Sequence, residues 1–308
     1  MRALSQEVDS TDPMSIAAIL AILIGLVVIF LLRIPIVLGL VVLIILVYIL
    51  QIMSSQHQHP MYYSTVALNL AFFPYDLITG SRAYTVFTSM FLHASMIHLI
   101  FNVFALIFIG MMLENRIGKT RFFLIFLVAG IIGGLTWAAI HWGDLTIAVG
   151  ASGGIMGTLG AFARLFGKER IRMLLLFMPL PPMPAYLIFV MLLLIDLVIA
   201  LTSVFPIAAE AHIGGAIAGF LIAPLIMKVP SRLRQPEARR IHLSTLRELA
   251  TTSELRKTLD NIESETVPEI QLVWLEHFMK KVRCPRCGSG PGIKGNTLLC
   301  KCGWKVKL

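Results

Sequence analysis

The sequence predicts an all-α polytopic membrane protein followed by a small cysteine-bearing module. Three observations carry that prediction. Hydrophobic residues make up 57% of the 308 and charged residues only 14%, with a mean hydropathy of +0.83, whereas a soluble domain is about 25% charged. Seven apolar runs approach the roughly 20 residues that a helix needs to cross a bilayer. All four cysteines lie beyond position 283. An ordinary soluble fold, a disordered chain and a disulfide scaffold are excluded by these figures. Charge is lopsided too: residues 1–227 hold 10 Lys/Arg against 9 Asp/Glu, and residues 228–308 hold 16 against 8. An apolar body is therefore followed by a basic tail.

Residues 1–13 are polar and slightly acidic, with Glu7, Asp9 and Asp12 against Arg2, and lack the positive opening of a cleavable export signal. The apolar runs then fall at 14–32, 35–53, 95–113, 122–142, 150–166, 184–203 and 210–227. Arg33 and Pro35 divide the first two, a long 54–92 loop precedes the third, and the proline-rich stretch Pro179 to Pro184 precedes the sixth. Short cytoplasmic loops are enriched in Lys and Arg. Arg116, Lys119 and Arg121 follow the third run, Arg164, Lys168, Arg170 and Arg172 the fifth, and Lys228, Arg232, Arg234, Arg239 and Arg240 the seventh. Strict alternation then puts the N-terminus outside and the C-terminus inside after seven crossings.

Polar groups at membrane depth are costly, so each is a functional candidate. Three sites stand out. His98 and Asn102 are four apart and share one helix face; Gly150-Ala151-Ser152-Gly153-Gly154 opens the fifth run; Ala211-His212-Ile213-Gly214-Gly215 opens the seventh. With the orientation above, all three lie at the outer ends of their helices, where water can reach. The chemistry such a set supports is acyl transfer, with Ser152 as nucleophile and His212 as general base. An oxyanion would form near Gly150 at the start of the Ser152 helix, where free N–H groups and the helix dipole favour negative charge. Gly150, Gly153, Gly157 and Gly160 on one helix and Gly214, Gly215 and Gly219 on the other allow the close approach that a Ser–His contact needs.

These residues resemble the rhomboid family of intramembrane serine proteases. The resemblance spans roughly residues 35–228 and rests on motifs in order: His93, His98 and Asn102; Glu114-Asn115-Arg116-Ile117-Gly118; the Gly150, Ser152, Gly153 box; and His212, Gly215, Gly219. It implies a rhomboid-like six-helix core with the 14–32 run as an extra N-terminal helix. It further implies a Ser152–His212 dyad without an aspartate, His98 and Asn102 as oxyanion ligands, structural roles for His93, Glu114 and Arg116, and no cofactor for catalysis. Many members carry Trp-Arg where this chain has Tyr84-Thr85, and an aromatic residue where it has Met156.

The predicted organisation is an N-terminal tail and extra helix (1–34), the membrane core (35–228), a cytoplasmic, mostly helical linker (229–283) and a terminal module (284–308). Leu246, Leu249, Leu255 and Leu259 have approximate helical spacing in the linker. In the terminal module Cys284-Pro-Arg-Cys287 and Cys300-Lys-Cys302 are two paired-thiolate knuckles, which suit a tetrahedral structural Zn2+. The module resembles a zinc ribbon and offers a surface for a cytoplasmic protein partner. Its basic surplus is expected to form a solvated surface that can contact anionic membrane lipid, and nucleic acid is not the expected partner. The expected function is cleavage of transmembrane proteins near the outer membrane face. The alternatives are a catalytically silent relative that binds membrane proteins, and a transporter. The last is disfavoured because the ionisable groups form one layer and not a path.

Overall fold

The computed structural model describes residues 12–32, 34–55, 64–144, 146–171, 174–175, 178–179, 181–202, 208–231, 243–264, 268–294 and 297–307. Arg33, Arg172, Arg232, Arg234, Arg239 and Arg240, used above for orientation, lie outside the described residues. The chain divides into two units, Met1–Arg234 and Gln235–Leu308.

Among the described residues, seven longer helices build the first unit: α1 (Pro13–Leu31), α2 (Ile36–Met53), α3 (Met96–Ile117), α4 (Lys119–Ile140), α5 (Ser152–Phe166), α6 (Ala185–Thr202) and α7 (Ala209–Ile226). All except α5 are long and apolar enough to cross a membrane. Local chemistry fixes their ends. Asp12 caps α1 by accepting from the Ser15 N–H and hydroxyl, each at 2.7 Å, with Pro13 in the first turn, a position where its missing N–H costs nothing. Ser95 caps α3 by accepting from the His98 N–H at 3.2 Å. Gly118, at φ +83°, breaks the chain between α3 and α4, a conformation that glycine adopts without a Cβ clash.

The long 54–92 loop of the sequence contains short helices at Thr65–Leu70, Pro74–Thr79 and Thr85–Thr88. Arg82 braces them: it donates to the Leu68 carbonyl at 2.8 Å, pairs with Asp76 at 2.9 Å and lies over the Phe73 ring. Tyr84, at a family-motif position, donates to the Asn69 carbonyl at 3.2 Å. The stretch before α6 adds two minimal antiparallel pairings, Arg170–Ile171 with Met183–Pro184 and Leu174–Leu175 with Met178–Pro179, which the apolar periodicity did not anticipate.

The centre of this unit is α5, buried from Gly153 to Ala163 except at Met156. Its glycines explain why so short a helix is enclosed. A Cβ at Gly219 would collide with the Gly157 carbonyl, one at Gly215 with the Gly153 carbonyl, and one at Gly160 with the Ala216 carbonyl. Helices α5 and α7 therefore touch backbone to backbone, a contact open only to small residues.

In the second unit, α8 (Leu243–Leu249), α9 (Ser253–Ser264) and α10 (Pro268–Lys281) precede a three-stranded antiparallel sheet of Gly292–Lys294, Thr297–Leu299 and Lys305–Lys307. Leu246, Leu249, Leu255 and Leu259 bury against Phe278, Val282 and Leu298, with Trp304 packed on the same cluster. The helices that the sequence suggested as a linker thus share one hydrophobic core with the cysteine module.

Candidate active site

Ser152 is the first residue of α5, so the N–H groups of the first turn have no helical carbonyl to meet. Gly150 turns the chain into it at φ +126°, with its N–H donating to the Ser89 carbonyl at 2.9 Å. A Cβ on Gly150 would lie 2.9 Å from Cε1 and 3.0 Å from Nε2 of His98, and 3.7 Å from the Ser152 hydroxyl oxygen. The Gly150 backbone, the His98 ring and the serine hydroxyl therefore form one corner. His98 Nδ1 accepts from the Ala94 N–H at 3.4 Å. A neutral imidazole that accepts at one nitrogen carries its proton on the other, so Nε2–H is the edge that faces this corner. Asn102 is buried one turn on; its amide nitrogen donates to the His98 carbonyl at 2.9 Å, and its Oδ1 is buried with no partner among the described residues.

His212 lies in the first turn of α7. Its neighbour Ala211 has its carbonyl 3.5 Å from where a Cβ of Gly153 would stand, and Gly215 rests on the Gly153 backbone. The glycine contacts hold the starts of the two helices side by side, Ser152 on one and His212 on the other. Among the described residues Ser152 and His212 share no hydrogen bond. His212 Nδ1 instead meets Asp196 Oδ1 of α6 at 2.8 Å, leaving Nε2 uncommitted. In the sequence Asp196 is marked only by its charge: it is the one charged residue in the 18 of α6.

Residues 80–229 match the family model for the rhomboid domain. The chain carries a rhomboid domain. It is 32% identical over 154 residues to the mitochondrial RHOMBOID-like protein 6 of Arabidopsis thaliana, covering 50% of this chain and 47% of that protein. It is 33% identical over 159 residues to Rhomboid protease AarA of Providencia stuartii, covering 47% and 57%. Over 120 residues it is 28% identical to Rhomboid-like protease 3 of Toxoplasma gondii, covering 39% and 44%. The match spans about half the length of these curated relatives. Family and helices together make this rhomboid a multi-pass membrane protein.

The remaining motif residues of the rhomboid sit away from the serine corner or behind it. His93 is fully buried, packs edge-on against the His98 ring at 5.1 Å, and has neither ring nitrogen paired among the described residues. Gln51 of α2 holds the His93 backbone, donating to its carbonyl at 2.9 Å and accepting from its N–H at 3.3 Å. At the opposite end of α3, Glu114 accepts from the N–H groups of Ile36 and Val37 at 2.8 and 2.9 Å, which caps α2. Arg116 pairs with Glu169 and lies over the Phe162 and Phe166 rings of α5. Met156, at the other departing motif position, is partly buried and packs on the membrane core.

The cysteines lie beyond the rhomboid match. Sulfurs of Cys284, Cys287, Cys300 and Cys302 all fall within 4.8 Å of one another, with Cys284 to Cys302 at 3.5 Å and Cys287 to Cys300 at 3.3 Å. A zinc tetrahedron with bonds of about 2.3 Å has edges of about 3.8 Å, so the donor set fits. Each knuckle closes on a glycine in the left-handed region, Gly288 at φ +71° and Gly303 at φ +85°. Hydrogen bonds from the Ser289 hydroxyl and backbone, with the Cys300 and Cys302 thiols behind them, lower the Cys287 thiol to about 6, while at Cys300 the lowering by the Cys302 backbone is outweighed by hydrogen bonds to the Cys287 thiol and by burial, which push it up to about 12.

Proposed function

We propose that this rhomboid is an intramembrane serine endopeptidase that cuts transmembrane segments of other proteins near the outer membrane face. One observation carries the reading: the glycine-on-glycine contact that sets the Ser152 end of α5 beside the His212 end of α7. In this reading the Ser152 hydroxyl attacks the scissile carbonyl, and His212 Nε2 takes its proton and returns it to the departing amine. The oxyanion is received by the free N–H groups at the start of α5, next to Gly150, with His98 Nε2–H and Asn102 at its edge.

The length of α5 supports access for water. Fifteen residues rise about 22 Å, against about 30 Å of hydrocarbon. Its far end carries Arg164 and is followed by Lys168, groups that stay at a membrane face. The shortfall therefore lies at the Ser152 end. The basic loops orient that end outside and the C-terminal unit in the cytoplasm. Substrates must unwind locally to present a peptide bond, so helix-breaking Gly or Pro, with small residues at the cut, is the expected preference. The four cysteines hold a structural Zn2+ whose role is to staple the second unit, leaving that unit available to membrane lipid or a cytoplasmic protein partner.

The test is reconstitution of the full chain in lipid vesicles with a fluorescent transmembrane peptide. Parent protein cleaves it, and Ser152→Ala and His212→Ala do not. Equal cleavage by all three defeats the reading, and absence of cleavage by the parent across peptides with and without helix breakers favours a silent, membrane-protein-binding relative.

A further inference from the structure

Helix α6 is the least covered of the membrane helices, with 11% of its length buried and Leu187, Val190, Leu194, Val198 and Leu201 exposed. Such a helix has no structural need for a carboxylate. Asp196 nonetheless sits in its apolar run with a side chain only 13% exposed. Its Oδ1 is 2.8 Å from His212 Nδ1, and its Oδ2 is buried with no partner among the described residues. A largely shielded carboxylate with one oxygen on a single imidazole, and the other buried without a partner among the described residues, is expensive at membrane depth. That arrangement asks for a role at the imidazole.

We propose that Asp196 is a positioning residue for His212, so that this chain works with a serine, a histidine and an orienting carboxylate. The inference rests on the hydrolase reading above and deepens it. An ionised carboxylate only accepts hydrogen bonds, so His212 Nδ1 must carry the proton that joins them. The neutral ring then has its lone pair on Nε2, the edge that a base needs. When Ser152 attacks, its proton moves to Nε2 and the ring becomes an imidazolium, which the unprotonated Asp196 stabilises. The same proton then leaves with the amine, and Nδ1 keeps its own throughout. Because the carboxylate stands on α6 and the imidazole on α7, correct orientation of His212 depends on α6 being seated against the bundle.

Three variants of the full chain in lipid test this: Asp196→Asn, Asp196→Leu and Asp196→Glu. The first readout is the tautomer of 15N-labelled His212 by solid-state NMR, which needs no substrate. The parent shows the Nδ1–H form, and Asn and Leu variants move toward Nε2–H. The second is peptide cleavage, in which Asn and Leu lower kcat by about 10²- to 10⁴-fold with KM little changed, and Glu restores part of the loss. An Nε2–H tautomer in the parent, or an unchanged kcat in both Asn and Leu variants, overturns the proposal. Should Ser152→Ala cleave as well as the parent, the hydrolase reading fails, while the tautomer still reports on Asp196. Should the variants fail to fold, the parent's tautomer alone decides.

Discussion

A single backbone angle controls the serine corner. Gly150 sits at φ +126° with the His98 ring against the place a Cβ would occupy. Gly150→Ala must relax that angle or push the ring away, and displacement of a positioned group by about 1 Å costs roughly 10²-fold in rate. We expect that loss in kcat, with the unfolding temperature in detergent little changed; cleavage kinetics and a thermal melt on one preparation check both. His98→Ala removes a donor and is expected to lower kcat by about 10²- to 10³-fold, measured by the same peptide assay. His98, Gly150, Ser152 and His212 stand out in the sequence as candidates by residue type and spacing, because imidazole, hydroxyl and glycine at helix starts are local signals. Asp196 does not stand out in the sequence, because a lone acid in an apolar run has no local partner to give it meaning.

At the scale of elements, the decisive contact is α5 on α7. Each of Gly157, Gly160, Gly215 and Gly219 meets either carbonyl or backbone of its neighbour, and backbone cannot yield as a flexible side chain can. Gly219→Val is expected to part the two helices, with a loss of about 1–3 kcal/mol of stability and of cleavage together. Thermal unfolding in detergent and the peptide assay measure the two; a fully stable and active variant removes the glycine argument. The Glu114 cap on α2 is a second such element: Glu114→Gln weakens two charge-assisted bonds to the Ile36 and Val37 N–H groups. A loss of about 1–3 kcal/mol follows, visible as a lower melting temperature. Helix positions were readable from hydropathy, whereas the short helices of the 54–92 loop were not. They are held by Arg82 and its carbonyl and carboxylate partners, contacts that no apolar period encodes.

For the whole molecule, the two units answer to different physics. The first is held by apolar burial and glycine packing within a bilayer; the second has a hydrophobic core of its own plus four clustered cysteine sulfurs. Elemental analysis of the full chain is expected to find one zinc per protein, and Cys300→Ser to lower that content. Chelation should open residues 235–308 to limited proteolysis, since metal binding is coupled to folding of such modules. A metal-free chain with the same proteolytic resistance defeats the zinc assignment. Orientation has its own test: protease added to right-side-out vesicles should leave the C-terminal unit intact, and protease added to inverted vesicles should remove it.

Composition, hydropathy and charge are properties of the chain read in one dimension, and from them follow the membrane class, the number of apolar runs, the basic tail and the paired cysteines. The order of the motifs added the serine and the histidines. What tertiary structure alone decided is which groups meet. The Ser152 and His212 helix ends stand side by side because glycines let two backbones touch. His212 faces Asp196 because two helices joined by a short connection bring together residues 16 positions apart. Distances of that kind depend on crossing geometry and rotation, which are fixed by packing in three dimensions and leave no period in the sequence.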